Sequence, residues 1–114
     1  MGDISAHFDT SEFRDHYSGA LKGPSTRLIA VLENIRGQTG NRPLRIVSGY
    51  RDENHPETKK RPGSRHPRGD AADIPPGVVR PQQALDAGAI GVGVRDGWVV
   101  HVDTRPGRPV VFDD

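Results

Sequence analysis

His66, Asp73 and His101 are the residues of this chain whose types and order best suit a metal ion. Zinc takes imidazole nitrogen and carboxylate oxygen, and a catalytic zinc usually keeps three protein ligands with a fourth position open for water. These three residues fill that specification and make hydrolysis by a zinc-activated water the leading expectation. Taken singly, each has a plainer explanation. His66 could be a surface loop histidine, Asp73 a turn or cap residue, and His101 a half-buried strand histidine.

The ligands must be positioned by a small and loop-rich body. The chain has 114 residues, of which 32% are hydrophobic and 5% aromatic, with 14 glycines and 10 prolines. A single domain around a modest core is expected from that length, residues 1–114 forming one unit. A bound ion would help to hold such a fold together. There is no cysteine, which excludes disulfides and every thiolate zinc site and leaves His, Asp, Glu and water as ligands.

The opening residues Met1 to Ser5 offer neither a basic nor an apolar leader region, and no run approaches the roughly 20 apolar residues of a membrane span. No membrane partner is expected. The net charge of +1 is too small to argue attraction to nucleic acid from the total. Lys59, Lys60, Arg61, Arg65 and Arg68 do cluster, but in a Gly/Pro-rich stretch they read more simply as solvated loop. Nucleic acid is therefore an unlikely partner, and a monomer is favoured.

The pattern of elements is α+β, with helices packed against an antiparallel sheet. Asp9 to Glu12 offers capping residues for a short turn whose Phe8, Phe13 and Tyr17 would pack on the body. Ser25 is a good N-cap for an amphipathic helix carrying Leu28, Ile29, Val31, Leu32 and Ile35 and ending near Gly37. Leu44 to Ser48 reads as a strand, and Asp52 to Gly69 as a long loop that could wall a site. Ala71 to Ile74 forms a short strand, and Pro81 to Ala87 a short helix with proline in its first turn. Ile90 to Val94, Trp98 to Val102 and Pro109 to Phe112 read as an antiparallel meander.

Within this scheme His101 and Asp103 lie two apart on one strand and share a face, while Val100 and Val102 take the other. If the valines face the core, the polar pair faces a cleft. A divalent cation would relieve the cost of placing carboxylates there. No H-E-x-x-H, P-loop or G-x-S-x-G motif argues for other chemistry. Gly91-Val92-Gly93 lacks the third glycine and the following helix of a dinucleotide site.

On these residues the chain resembles the zinc D-alanyl-D-alanine carboxypeptidase-like metallopeptidases. Their pattern S-x-H-x-x-G-x-A-x-D is met at Ser64, His66, Gly69, Ala71 and Asp73. Four further segments resemble the short phage and bacterial branch of that family: His7-Phe8 with Ser11-Glu12-Phe13, Ser48-Gly49-Tyr50-Arg51 with His55, Gly91-Val92-Gly93, and Val100 to Pro106. The resemblance implies the fold shared with the hedgehog signalling domain, zinc on His66, Asp73 and His101, and peptidoglycan stem peptides as substrate. It also implies that Arg51 binds substrate or stabilises developing oxyanion charge, and that Ser64 contacts substrate or supports the ligands. A surface ion pair with Asp52, Glu53 or Glu57 is the plainer role for Arg51, and His55 is expected to be structural.

One departure matters. Many relatives carry the catalytic carboxylate three residues before the last zinc histidine, where this chain has Trp98. Asp103 then has three open roles: general base, orienting partner of His101, or metal ligand with His101 as auxiliary. Asp70 and Asp96 are weaker candidates. The function expected is a zinc peptidase of cell-wall stem peptides, either a D-Ala-D-Ala carboxypeptidase or an L-Ala-D-Glu-type endopeptidase, acting on the wall as a phage or an exported enzyme. The rival is a zinc-containing structural or wall-binding module without catalysis.

Overall fold

A computed structural model describes residues 5–15, 19, 24–49, 65–66 and 69–114. The expected Tyr17, Tyr50, Arg51, His55 and Ser64, the cations Lys59, Lys60, Arg61 and Arg68, and most of the long loop lie outside them. Within the described residues the chain is a small α+β fold. In chain order it comprises a 3-10 turn at Thr10–Phe13, α1 at Thr26–Gln38, β1 at Ala71–Asp73, α2 at Pro81–Asp86, β2 at Gly91–Arg95, β3 at Trp98–Asp103 and β4 at Val110–Asp113.

Helix α1 starts where a side chain can replace a missing turn. Ser25 accepts a hydrogen bond on its hydroxyl from the Leu28 amide at 3.1 Å, satisfying one of the donors that an N-terminus leaves unpaired. Leu28, Val31, Leu32 and Ile35 recur at three-to-four spacing and are all buried. They join Phe8, Phe13, Val79, Ala84, Ala87 and the strand residues Ala72, Val92, Val99 and Val102 in one apolar cluster. Helix α2 opens on Pro81, whose missing amide costs nothing in a first turn.

The four strands lie in the order β1-β3-β2-β4. Strands β2 and β3 form a hairpin whose two-residue loop, Asp96-Gly97, has positive φ at both positions, 53° and 84°. That is the mirror-image turn that matches the twist of a hairpin, and the Asp-Gly pair is suited to it.

Of the expected antiparallel meander, β2 and β3 pair as expected but the third strand does not. Strand β4 runs parallel to β2, so the sheet is mixed. The reason is that both edges of β3 are taken, by β1 on one side and β2 on the other. Strand β4 therefore has to pass beyond β2, and residues 104–109 carry it across the start of that strand. Ile90 marks the crossing: its amide donates to the Asp103 carbonyl at 2.9 Å and its carbonyl accepts from the Val110 amide at 2.7 Å.

The strand expected over Leu44 to Ser48 is reduced to one bridge, Ser48 to Asp73. Leu44 and Ile46 are buried and alternate with exposed Arg45 and Val47, as an extended half-buried segment should. At Gly49 the chain runs tightly against the 3-10 turn. A Cβ on Gly49 would stand 2.8 Å from the Phe13 Cα.

Candidate metal centre

Cross-strand register assembles the site. Asp73 on β1 faces His101 on β3, His101 faces Gly93 on β2, and Gly93 faces Phe112 on β4. Residues opposed in this way share a sheet face. The neighbouring row, Ala72, Val102 and Val92, lies fully buried on the opposite face against the helices. Polar chemistry and apolar core are thus sorted by the two-residue period of the strands.

A bulge at Gly93/Val94 modifies the expected alternation. Val94 pairs with Val99 and Gly93 with His101, leaving Val100 without a partner on β2. Val99 as well as Val102 therefore enters the apolar cluster, while His101 and Asp103 share the site face as expected.

His66 reaches the same point from the loop before β1. Gly69, at φ 72°, lets the chain double back, and its amide donates to the His66 carbonyl at 3.1 Å. An Arg65 to Asp70 ion pair of 2.6 Å closes the same loop. It also engages Asp70, one of the weaker candidates for the catalytic carboxylate, while Asp96 sits in the exposed hairpin turn.

One donor atom each from His66, Asp73 and His101 lies within 4.8 Å of the others. His66 Nε2 is 3.3 Å and His101 Nδ1 3.2 Å from the same oxygen, Asp73 Oδ1. Both histidines are anchored through their other nitrogen. His66 Nδ1 donates to the Gly49 carbonyl at 2.6 Å, and His101 Nε2 donates to Asp103 Oδ2 at 2.8 Å. Such outer partners orient a metal-ligating imidazole, and the donor set fits a divalent ion that accepts nitrogen and carboxylate oxygen. The cluster is mostly enclosed, with Asp73 as its half-buried member.

Asp103 stands behind His101 with no exposure. Its Oδ1 accepts from the Arg105 amide at 3.0 Å and from Arg105 Nε at 2.9 Å, and its Oδ2 accepts from Arg105 Nη2 at 2.6 Å as well as from His101. Burial would raise its pKa, but the hydrogen bonds of Arg105 and His101 outweigh that and hold the carboxyl well below the usual carboxylate range. Burial likewise disfavours the His101 imidazolium, yet hydrogen bonds and charge from Asp103 and Asp73 push its pKa up to about 9. Both partners can only accept, so metal-free His101 donates from both nitrogens.

The two strand glycines supply the room for this arrangement. A Cβ on Gly91 would run into the Asp103 carboxylate, and one on Gly93 would stand 2.9 Å from both the His101 Cβ and Asp114 Oδ2. Their alternation was visible in the sequence as Gly91-Val92-Gly93, but its meaning depends on which side chains lie opposite. Arg105 and Asp114 received no role from sequence reasoning. Arg105 carried one usable signal, its position two residues beyond Asp103. Trp98 is half-buried at the start of β3, where the Arg80 guanidinium stacks 3.6 Å from its ring centre.

No family model, curated protein or solved structure matches this chain. Among the described residues, no helix is long and apolar enough to cross a membrane. The site therefore stands on its own geometry: three converging ligand atoms, two anchored imidazoles and a buried carboxylate behind one of them.

Proposed function

We propose that the protein is a zinc peptidase of peptidoglycan stem peptides, with the fold of the D-alanyl-D-alanine carboxypeptidase and hedgehog group. The observation that carries this reading is the convergence of His66, Asp73 and His101 at one point. The motif from Ser64 to Asp73 supports the family and substrate class.

His66 Nε2, an Asp73 carboxylate oxygen and His101 Nδ1 would hold the ion. When bound, zinc would lower the pKa of a water and polarise the scissile carbonyl. The chain's own residues provide the setting. Gly49 and Asp103 fix the two imidazole rings, and of the three roles open to Asp103, orientation of His101 is the one its hydrogen bonds favour. Arg51 would meet the developing negative charge on the carbonyl oxygen, and Ser64 would contact the substrate. Asp114, whose carboxylate overhangs Gly93 beside His101, is a third carboxylate on the site face, after Asp73 and Asp103.

Incubation of the purified protein with stem peptides, with zinc and with a chelator, tests the reading by mass spectrometry. Cleavage that the chelator abolishes is expected, and the bond cut assigns carboxypeptidase or endopeptidase action. Stoichiometric zinc without cleavage of any stem peptide would favour the second reading, a non-catalytic zinc module. That reading draws on Trp98 at the position of the usual carboxylate and on the enclosure of Asp103 behind His101.

A further inference from the structure

We propose that Arg105 is a positioning residue of the metal centre, fixing Asp103 and through it the ring of His101 so that Nδ1 is the nitrogen offered to the ion. This rests on the metal reading above and deepens it.

A carboxylate orients an imidazole only if it is itself held, and Asp103 is held almost entirely by one residue. The Arg105 amide reaches back two positions to Oδ1, as in an Asx turn, while Nε and Nη2 of the guanidinium take Oδ1 and Oδ2 as a fork. The fork fixes the carboxylate plane, and Oδ2 in that plane receives His101 Nε2 at 2.8 Å. Nδ1 is then turned toward Asp73.

Two further features support a dedicated arrangement. Gly91 opposite Asp103 leaves space for the carboxylate that any side chain would occupy. The Arg105 guanidinium also lies 5.1 Å from the Phe112 ring centre, and that ring is 5.6 Å from the His101 ring. Arg105 thus steadies His101 by two routes, through Asp103 and through Phe112. A lysine would retain the charge that a buried carboxylate requires but could not reproduce the fork.

The test uses the full chain as wild type, Arg105→Met, Arg105→Lys and His101→Ala. Zinc affinity is read by competition with a chromophoric chelator, and the His101 Nε2 proton by 15N NMR of the zinc-loaded protein. Arg105→Met should weaken zinc about 10- to 100-fold and lose the slowly exchanging Nε2 proton, with Arg105→Lys recovering only part of both. Affinity within about twofold of wild type in Arg105→Lys and Arg105→Met, with the proton unchanged, would overturn the proposal. If Arg105→Met does not fold, the lysine variant decides by the same two readings. Wild type that binds no zinc, or His101→Ala that binds it equally well, would instead overturn the metal reading itself.

Discussion

Asp73 and His101 stand directly opposite each other on neighbouring antiparallel strands, with His101 Nδ1 3.2 Å from Asp73 Oδ1. They are separated by α2 and the whole of β2, so only the pairing of β1 with β3 brings them together. A slip of one residue would turn either side chain into the apolar face. The core residues Ala72 and Val102 therefore set the site register as firmly as the ligands do.

Replacing a ligand should abolish tight zinc binding while leaving the helices in place. For His66→Ala, Asp73→Ala and His101→Ala we expect loss of stoichiometric zinc by elemental analysis. Added zinc is expected to raise the melting temperature of wild type and to leave that of these variants unchanged. At 100 times Kd that shift corresponds to about 2.7 kcal/mol. A variant with full zinc content would remove its residue from the ligand set.

The metal-free protein should lose stability as the medium becomes alkaline. The His101 pKa is raised from 6.5 to about 9, so its contribution is complete below pH 6.5 and disappears as pH rises through 9. At about 1.4 kcal/mol per unit the loss is on the order of 3 kcal/mol. Urea unfolding of zinc-free protein at pH 6, 8 and 10 measures it. On the proposed reading zinc would displace a His101 proton, so its affinity should rise over the same interval. Asp103 acts in the opposite sense, its lowered pKa giving stability above the ordinary carboxylate range that is lost on acidification.

Two glycines should respond oppositely to alanine. Gly91→Ala pushes a methyl into the Asp103 carboxylate and should cost about 1–3 kcal/mol along with zinc affinity. Gly37 lies within α1 with nothing near its Cβ position, and Gly37→Ala should stabilise by about 0.5–1 kcal/mol. Paired denaturation curves decide both, and equal effects would mean that the Gly91 contact is relieved elsewhere.

Removing the α1 cap isolates one side-chain hydrogen bond, because the Ser25 amide keeps its bond to the Gly69 carbonyl at 2.8 Å whatever the side chain. Ser25→Ala leaves the Leu28 amide without its side-chain partner and should cost about 1 kcal/mol. Zinc affinity should not change, which makes this variant the control for the ligand series.

Local signals carried much of the fold. Ser25, the Leu28 to Ile35 spacing, Pro81 and Asp96-Gly97 each act through neighbours in the chain, and each marks its element in the structure. The direction of β4 was not local. It depends on β1 occupying an edge of β3, and nothing in Val110 to Asp113 records that. In the site, residue types suggested His66, Asp73 and His101 and strand periodicity put His101 on a face with Asp103, while the full ligand set was what the resemblance of Ser64 to Asp73 implied. The Arg105 fork and the space left by Gly91 could not, because both depend on three-dimensional register.

The crossing of residues 104–109 over the start of β2 also bears on the order of events in folding. The β2–β3 hairpin closes through a two-residue loop and can form early, whereas β4 has nowhere to pair until β2 is seated. The ligand set closes across a wider span of chain still, since β1 must pair with β3 to bring Asp73 to His101. Stabilisation gained after the transition state slows unfolding rather than speeding folding. We therefore expect zinc to lengthen the lifetime of the native state with little change in refolding rate, a difference that stopped-flow measurements with and without the ion would reveal.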